Sequence, residues 1–192
     1  MGARVIVGSS KEKNLKQLSY FLKENGYNII GETTNGYDLL RRVHALYPDI
    51  CILDYNMVGL NGHEISEVLI ADRICPIIAI ITSANVQYFT NLNQEPMFTS
   101  LIKPINRTLL LNNIDIMIKT SKSIAKLEKE VSTLQKKQDE KQLILKAKEL
   151  LMKNMDMTEE EAHRKIQKYS MNKGISKVIV ANQIINKYNN TR

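Results

Sequence analysis

Short apolar runs recur through the first 118 residues, each followed by a stretch in which apolar side chains fall at helical spacing. The runs at 4–8, 28–32, 50–54, 77–82 and 99–102 predict strands, and those at 50–53 and 77–81 are apolar throughout. A strand without a polar face suits a sheet covered on both sides. Helical periodicity at about 13–25, 37–46 and 64–72, and again from about Arg107, separates these runs. Strands alternating with helices predict a parallel, doubly wound α/β sheet of five strands, with its ligand site beyond the carboxyl ends of the strands.

From Ile114 onward no strand signal returns. Met117, Ile124, Leu127, Val131 and Leu134 keep heptad spacing with Lys and Glu between them, which predicts a dimeric coiled coil over 119–140. One long amphipathic helix packed on its own sheet domain would give the same spacing. The remaining residues, 141–192, divide into three helical segments. Residues 142–153 carry an apolar face of Leu143, Ile144, Ala147, Leu150 and Leu151. Thr158 and Glu161 have the spacing of a capping box, so a second helix starts there, placing Ala162, Ile166 and Tyr169 inward and ending near Gly174. Ser176 can cap a third helix with Val178, Ala181, Ile184, Ile185 and Tyr188 on its apolar side. Connections this short require an all-α three-helix bundle.

The net charge of +7 is unevenly distributed. Residues 1–118 hold 10 Lys+Arg against 11 Asp+Glu, a balance of −1, whereas 119–192 hold 17 against 9, a balance of +8. Such asymmetry points to a nucleic acid or an anionic surface as partner for the C-terminal part, because lysines beside phosphates release condensed counterions. A merely solvated lysine-rich surface would have the same composition. No apolar run reaches the roughly 20 residues a membrane helix needs, and no signal segment precedes residue 4, so a cytoplasmic protein without a membrane partner is expected. Cys51 and Cys75 read as buried thiols, and His44, His63 and His163 as surface residues, so no metal site is expected from them.

The stretch "CILDYNMVGLNG", with Asp54 at a strand end, resembles the phosphoacceptor strand and loop of response-regulator receiver domains. Thr82 in "IAIITSA" and Lys103-Pro104 in "LIKPI" close the next two strands, as the family's hydroxyl and lysine positions do. The resemblance covers residues 3–118 and implies a flavodoxin-like receiver fold. It also implies that Asp54 is the phosphoacceptor, with Thr82 and Lys103 binding the phosphoryl oxygens, and that a sensor histidine kinase is a partner. Two positions depart from the family. Its acidic pair after the first strand is replaced by Ser9 and Ser10, and its aromatic switch residue by Ser100. A hard cation wants carboxylate oxygens, so Mg²⁺ binding is expected to be weak or absent, no other cofactor is implied, and Asp54 is expected to be phosphorylated weakly or not at all. An ion pair between Asp54 and Lys103, retained without phosphotransfer, is the plainer reading of the same residues.

The segment from about Lys141 to Lys187, with Ala147, Lys148, Leu151 and Met152 followed by "TEEEA" and "YSM", resembles the ANTAR domain, an RNA-binding module found after receivers. Lys177 and Ile179 depart from its pattern, which leaves the register of the third helix open. Helical geometry places Lys146 and Lys153 on one flank of the first helix, Lys148 on the other, and Lys165 and Lys168 together on the second, as candidate RNA contacts. Tyr169 falls on the calculated core face and is expected to pack there.

The reading that results is an RNA-binding response regulator and homodimer, joined through Ile124, Leu127, Val131 and Leu134, in which the resemblance implies transcription antitermination at hairpins of leader transcripts. A DNA-binding regulator and a protein-interaction scaffold with a receiver-like domain are the alternatives. No enzyme is expected, since no nucleophile-base pair or glycine-rich phosphate loop is evident.

Overall fold

The computed structural model describes residues 2–189, so the first residue of the sheet domain and the last three of the helical domain lie outside the described residues. Two compact units follow one another, Met1–Ala125 and Lys126–Arg192.

In the first unit β1 (Arg4–Gly8), β2 (Asn28–Thr33), β3 (Ile50–Asp54), β4 (Ile77–Ile81) and β5 (Phe98–Ile102) form one parallel sheet in the order β2-β1-β3-β4-β5. This is the flavodoxin-like order, whose switch point lies between β1 and β3. Every residue of β3 and β4 is buried, as their unbroken apolar runs require. The helices α1 (Glu12–Glu24), α2 (Gly36–Leu46) and α3 (Gly62–Ala71) connect the strands. One apolar cluster joins Leu39, Val43, Ile65 and Leu69 to Ile6, Cys51, Leu53 and Ala79, and the other joins Leu15, Leu22, Leu110 and Ile114 to Val7, Ile52 and Ile80. Alternate residues of each strand thus serve opposite layers. Burial pushes the Cys75 thiol up to about 12 and the Cys51 thiol well above its ordinary value, so both behave as small apolar groups.

Between β4 and β5 there is no α-helix; the chain forms 3₁₀ turns at Ser83–Phe89 and Leu92–Gln94. The sequence shows no helical periodicity there either.

α4 runs unbroken over Arg107–Met155. The linker of 119–140 and the helix of 142–153, distinguished in the sequence by their apolar patterns, are parts of this one helix. The reason is local: neither Gly nor Pro occurs between Arg107 and Met155, so nothing interrupts the ladder.

In the second unit the end of α4 packs with α5 (Glu159–Lys173) and α6 (Lys177–Asn189). Thr158 caps α5 with the capping box that the spacing predicts, Gly174 ends it at φ +63°, and the Ser176 hydroxyl accepts from the Ile179 amide. The core consists of Ala147, Leu151, Ala162, Ile166, Val180, Ala181 and Ile185. Two expectations are corrected. Val180, not Val178, enters the core, which resolves the register of α6. Tyr169 is 46% exposed, because Ala162 and Ile166, one turn apart, already fill the inward face of α5.

Candidate functional site

Residues at the ends of β1, β3 and β5 meet at the switch point. Asp54 ends β3 and is buried. Its Oδ1 lies 2.7 Å from Lys103 Nζ, and its Oδ2 accepts a hydrogen bond from Ser9 Oγ. A buried carboxylate without a counter-charge costs several kcal/mol, and Lys103 supplies that counter-charge here. The loop closes tightly behind it. A Cβ on Gly62 would lie 2.8 Å from the Asp54 carbonyl oxygen, so only glycine lets the start of α3 pass this near.

The other expected members of the site are placed less closely. Thr82 follows β4, but its hydroxyl donates to Asn85 Oδ1 rather than facing Asp54. Ser10 is half-buried beside Ser9. Both Asp54 oxygens are engaged, one by a cation and one by a hydroxyl. Among the described residues no group of three His, Cys, Asp or Glu side chains could hold a metal ion. This donor set does not fit Mg²⁺, which needs carboxylate oxygen free to replace water.

In the second unit the five lysines have different fates. Lys148 is mostly buried and pairs with Glu159 at 2.9 Å, tying α4 to α5; the Lys148 ammonium holds the Glu159 carboxyl below its usual range. Lys146, Lys153, Lys165 and Lys168 are exposed. Lys165 stands beside a cavity of about 260 Å³ whose floor is Leu151, Val180 and Ile184 and whose walls include Tyr169 and Tyr188, with Gln183 at its edge. Lys168 lies on another surface with Arg164 and Gln167. Lys187 also lines the cavity, its Nζ 5.7 Å from the centre of the Tyr188 ring. The cavity is not legible in the sequence. Helical periodicity puts Tyr169 and Tyr188 both inward, and only the packing of α5 on α6 shows them standing at the rim.

Ile124 is half-buried, while Leu127, Val131 and Leu134 are exposed on α4 within this single chain.

Comparison with known proteins gives two family matches in sequence. The response regulator receiver domain matches residues 5–115 and the ANTAR domain matches residues 132–185. The transcriptional regulatory protein PdtaR of Mycobacterium tuberculosis is 26% identical over 182 residues, covering 95% of this chain and 89% of that protein. Among solved structures, the signal receiver domain of a modulated diguanylate cyclase from Desulfovibrio desulfuricans G20 is 28% identical with a TM-score of 0.58, covering 64% of this chain and 98% of that one. A response regulator receiver domain protein from Clostridium thermocellum is similar in fold, at 20% identity and a TM-score of 0.58, with coverage of 64% and 98%.

Proposed function

The chain belongs to the response regulators, with a receiver domain followed by an ANTAR domain, and we propose that it controls transcription by binding hairpins in leader transcripts as a homodimer. The observation that carries this reading is the cavity of the ANTAR unit, an apolar floor between Tyr169 and Tyr188 with Lys165 at its rim. An aromatic wall stacks on an unpaired loop base, an amide such as Gln183 reads its edge, and lysines follow the phosphates on either side. The likeness to a transcriptional regulatory protein over nearly the whole chain supports a regulatory role. Holding a leader hairpin open to the polymerase in place of a terminator is antitermination, and it requires binding rather than bond-making chemistry. A cytoplasmic location goes with this reading, since nascent transcripts are there.

The receiver serves as the input domain, and Asp54 accepts phosphate slowly or not at all, because both of its oxygens are already engaged. A sensor histidine kinase is therefore an optional partner. Incubation with a small phosphodonor and Mg²⁺, followed by intact mass, should show little or no labelling; rapid stoichiometric labelling of Asp54 would reverse this part of the reading.

RNA binding is tested by titrating the full chain against a hairpin RNA and a duplex DNA of equal charge at several salt concentrations. The hairpin should bind more tightly. Changing Lys146, Lys153, Lys165 and Lys168 to Gln should weaken binding and flatten the salt dependence, by about 0.7 for each loop phosphate deprived of its lysine. Equal affinity for both nucleic acids, or wild-type affinity in the folded quadruple variant, would sink the proposed face. Transcription through a leader with a terminator, with and without protein, then tests antitermination directly.

A further inference from the structure

From the Asp54–Lys103 pair a cavity of about 230 Å³ extends between α1 and the start of α4. Its inner surface is apolar, made by Leu18, Phe21, Ile80 and Leu110. Asp54 is its only acidic lining residue, and that charge is already balanced by Lys103 at 2.7 Å. The remaining charge is the guanidinium of Arg107, held 5.3 Å from the centre of the Phe21 ring. The side chains of Asn14, Gln17 and Arg107 line the cavity and take part in no hydrogen bond or ion pair among the described residues, so their donors remain available to a ligand or to solvent.

We propose that this cavity binds a small carboxylic acid with an apolar body, its carboxylate on the Arg107 guanidinium and its hydrocarbon against Phe21 and Leu110. The planar guanidinium matches a carboxylate with two parallel hydrogen bonds. Inorganic phosphate could take the same cation but would leave the apolar floor unfilled. An uncharged hydrocarbon would fill the floor but leave Arg107 unused. The volume is below the roughly 300–1,000 Å³ of sites for drug-sized ligands, which selects a compact acid. Bound there, the acid lies next to the Lys103–Asp54 pair, so a metabolite would reach the residues that phosphate reaches in other receivers.

The test uses the full chain, with calorimetry and amide chemical shifts as readouts. Benzoate, phenylacetate and isovalerate are the probes, with benzyl alcohol and inorganic phosphate as controls. At least one acid should bind saturably, about tenfold or more tighter than either control, the ratio expected for one charge-assisted hydrogen-bonded pair. Shifts should be confined to the first turns of α1, the end of β3 and the start of α4. Arg107→Gln should weaken binding about tenfold or more, again the strength of that pair. Gln17→Trp, on the exposed side of α1, should block entry while circular dichroism shows an intact fold. Absence of saturable binding by all three acids overturns the proposal. So does binding that neither variant weakens, or phosphate binding tighter than the acids.

Discussion

In the receiver the only buried carboxylate among the described residues has an ammonium on one oxygen and a hydroxyl on the other. Along the middle of α4, by contrast, Leu127, Val131 and Leu134 stand 60%, 52% and 65% exposed, and four of the five candidate lysines of the ANTAR unit point outward. The first region satisfies its buried charge internally, whereas the second turns both apolar and charged groups toward solvent. Apolar side chains at heptad spacing are unfavourable in water by area, so the dimer proposed above would bury Leu127, Val131 and Leu134 together.

The largest effect should come from breaking the exposed seam. Replacing Leu127 and Leu134 together with Lys should dissociate a dimer, since each leucine contributes about 1.5–3 kcal/mol when buried, and should leave the thermal stability of the receiver unchanged. Sedimentation measures the first and calorimetry the second; an undisturbed dimer would show that α4 is not its cause. Next is the internal pair of the receiver. Lys103→Met leaves Asp54 buried without its cation and should cost about 2 kcal/mol, less than a fully buried pair because the lysine is 40% exposed. Urea unfolding should show the destabilisation, and the double change Asp54→Asn, Lys103→Met should recover most of it.

Lys148 sharpens the contrast from within the ANTAR unit, because it is the one candidate lysine there that is paired like a receiver residue. Lys148→Met should lower the unfolding midpoint of that unit, whereas Lys146→Met should not; RNA titration should rank them the other way. The smallest effect concerns His44, whose charged form is favoured first by the Leu40 carbonyl and then by Asp72, raising its pKa above the ordinary 6.5. Its stabilisation is therefore complete below that ordinary value and disappears as the pH rises through the raised one. With the ring 42% exposed, a few tenths of a kcal/mol are at stake. Unfolding at about pH 5.5 and about pH 8.5, on either side of the histidine range, should differ less in His44→Gln than in the wild type, and an equal difference would remove His44 as the cause.

The sheet is legible in the sequence because each central strand is a short apolar run ended by a polar residue: β3 lies where the sequence puts it, and β4 ends one residue sooner, at Ile81. Asp54, Lys103 and Ser9 can each be placed at a strand end. That the Ser9 hydroxyl bonds Asp54 cannot be read in this way, because the bond depends on the strands' relative register rather than on either local sequence. The capping of α5 is legible for the opposite reason, since Thr158 and Glu161 find one another within a single turn. Val180 escapes the sequence pattern because Val178 and Val180 lie about 200° apart on opposite flanks of the stripe of Ala181, Ile184 and Ile185, and only tertiary packing selects the flank that is buried.

The 3₁₀ stretch after β4 has a consequence for timing. Across residues 83–95 only Phe89 and Leu92 are buried, the former stacked on Phe98 and meeting Tyr55 and His63 edge-on. Beyond those two side chains the stretch is held only by surface contacts, the stacking of Tyr88 on Tyr55 and the hydrogen bond from Ser100 to Asn93, so it should open more often than the buried strand β4 before it. Its amides should therefore exchange with deuterium before those of the strands. Each opening would also separate Asn85 from Thr82, so the Thr82 hydroxyl at the end of β4 would be lent to solvent for the lifetime of an open segment, while the Ser9 hydroxyl stays on Asp54.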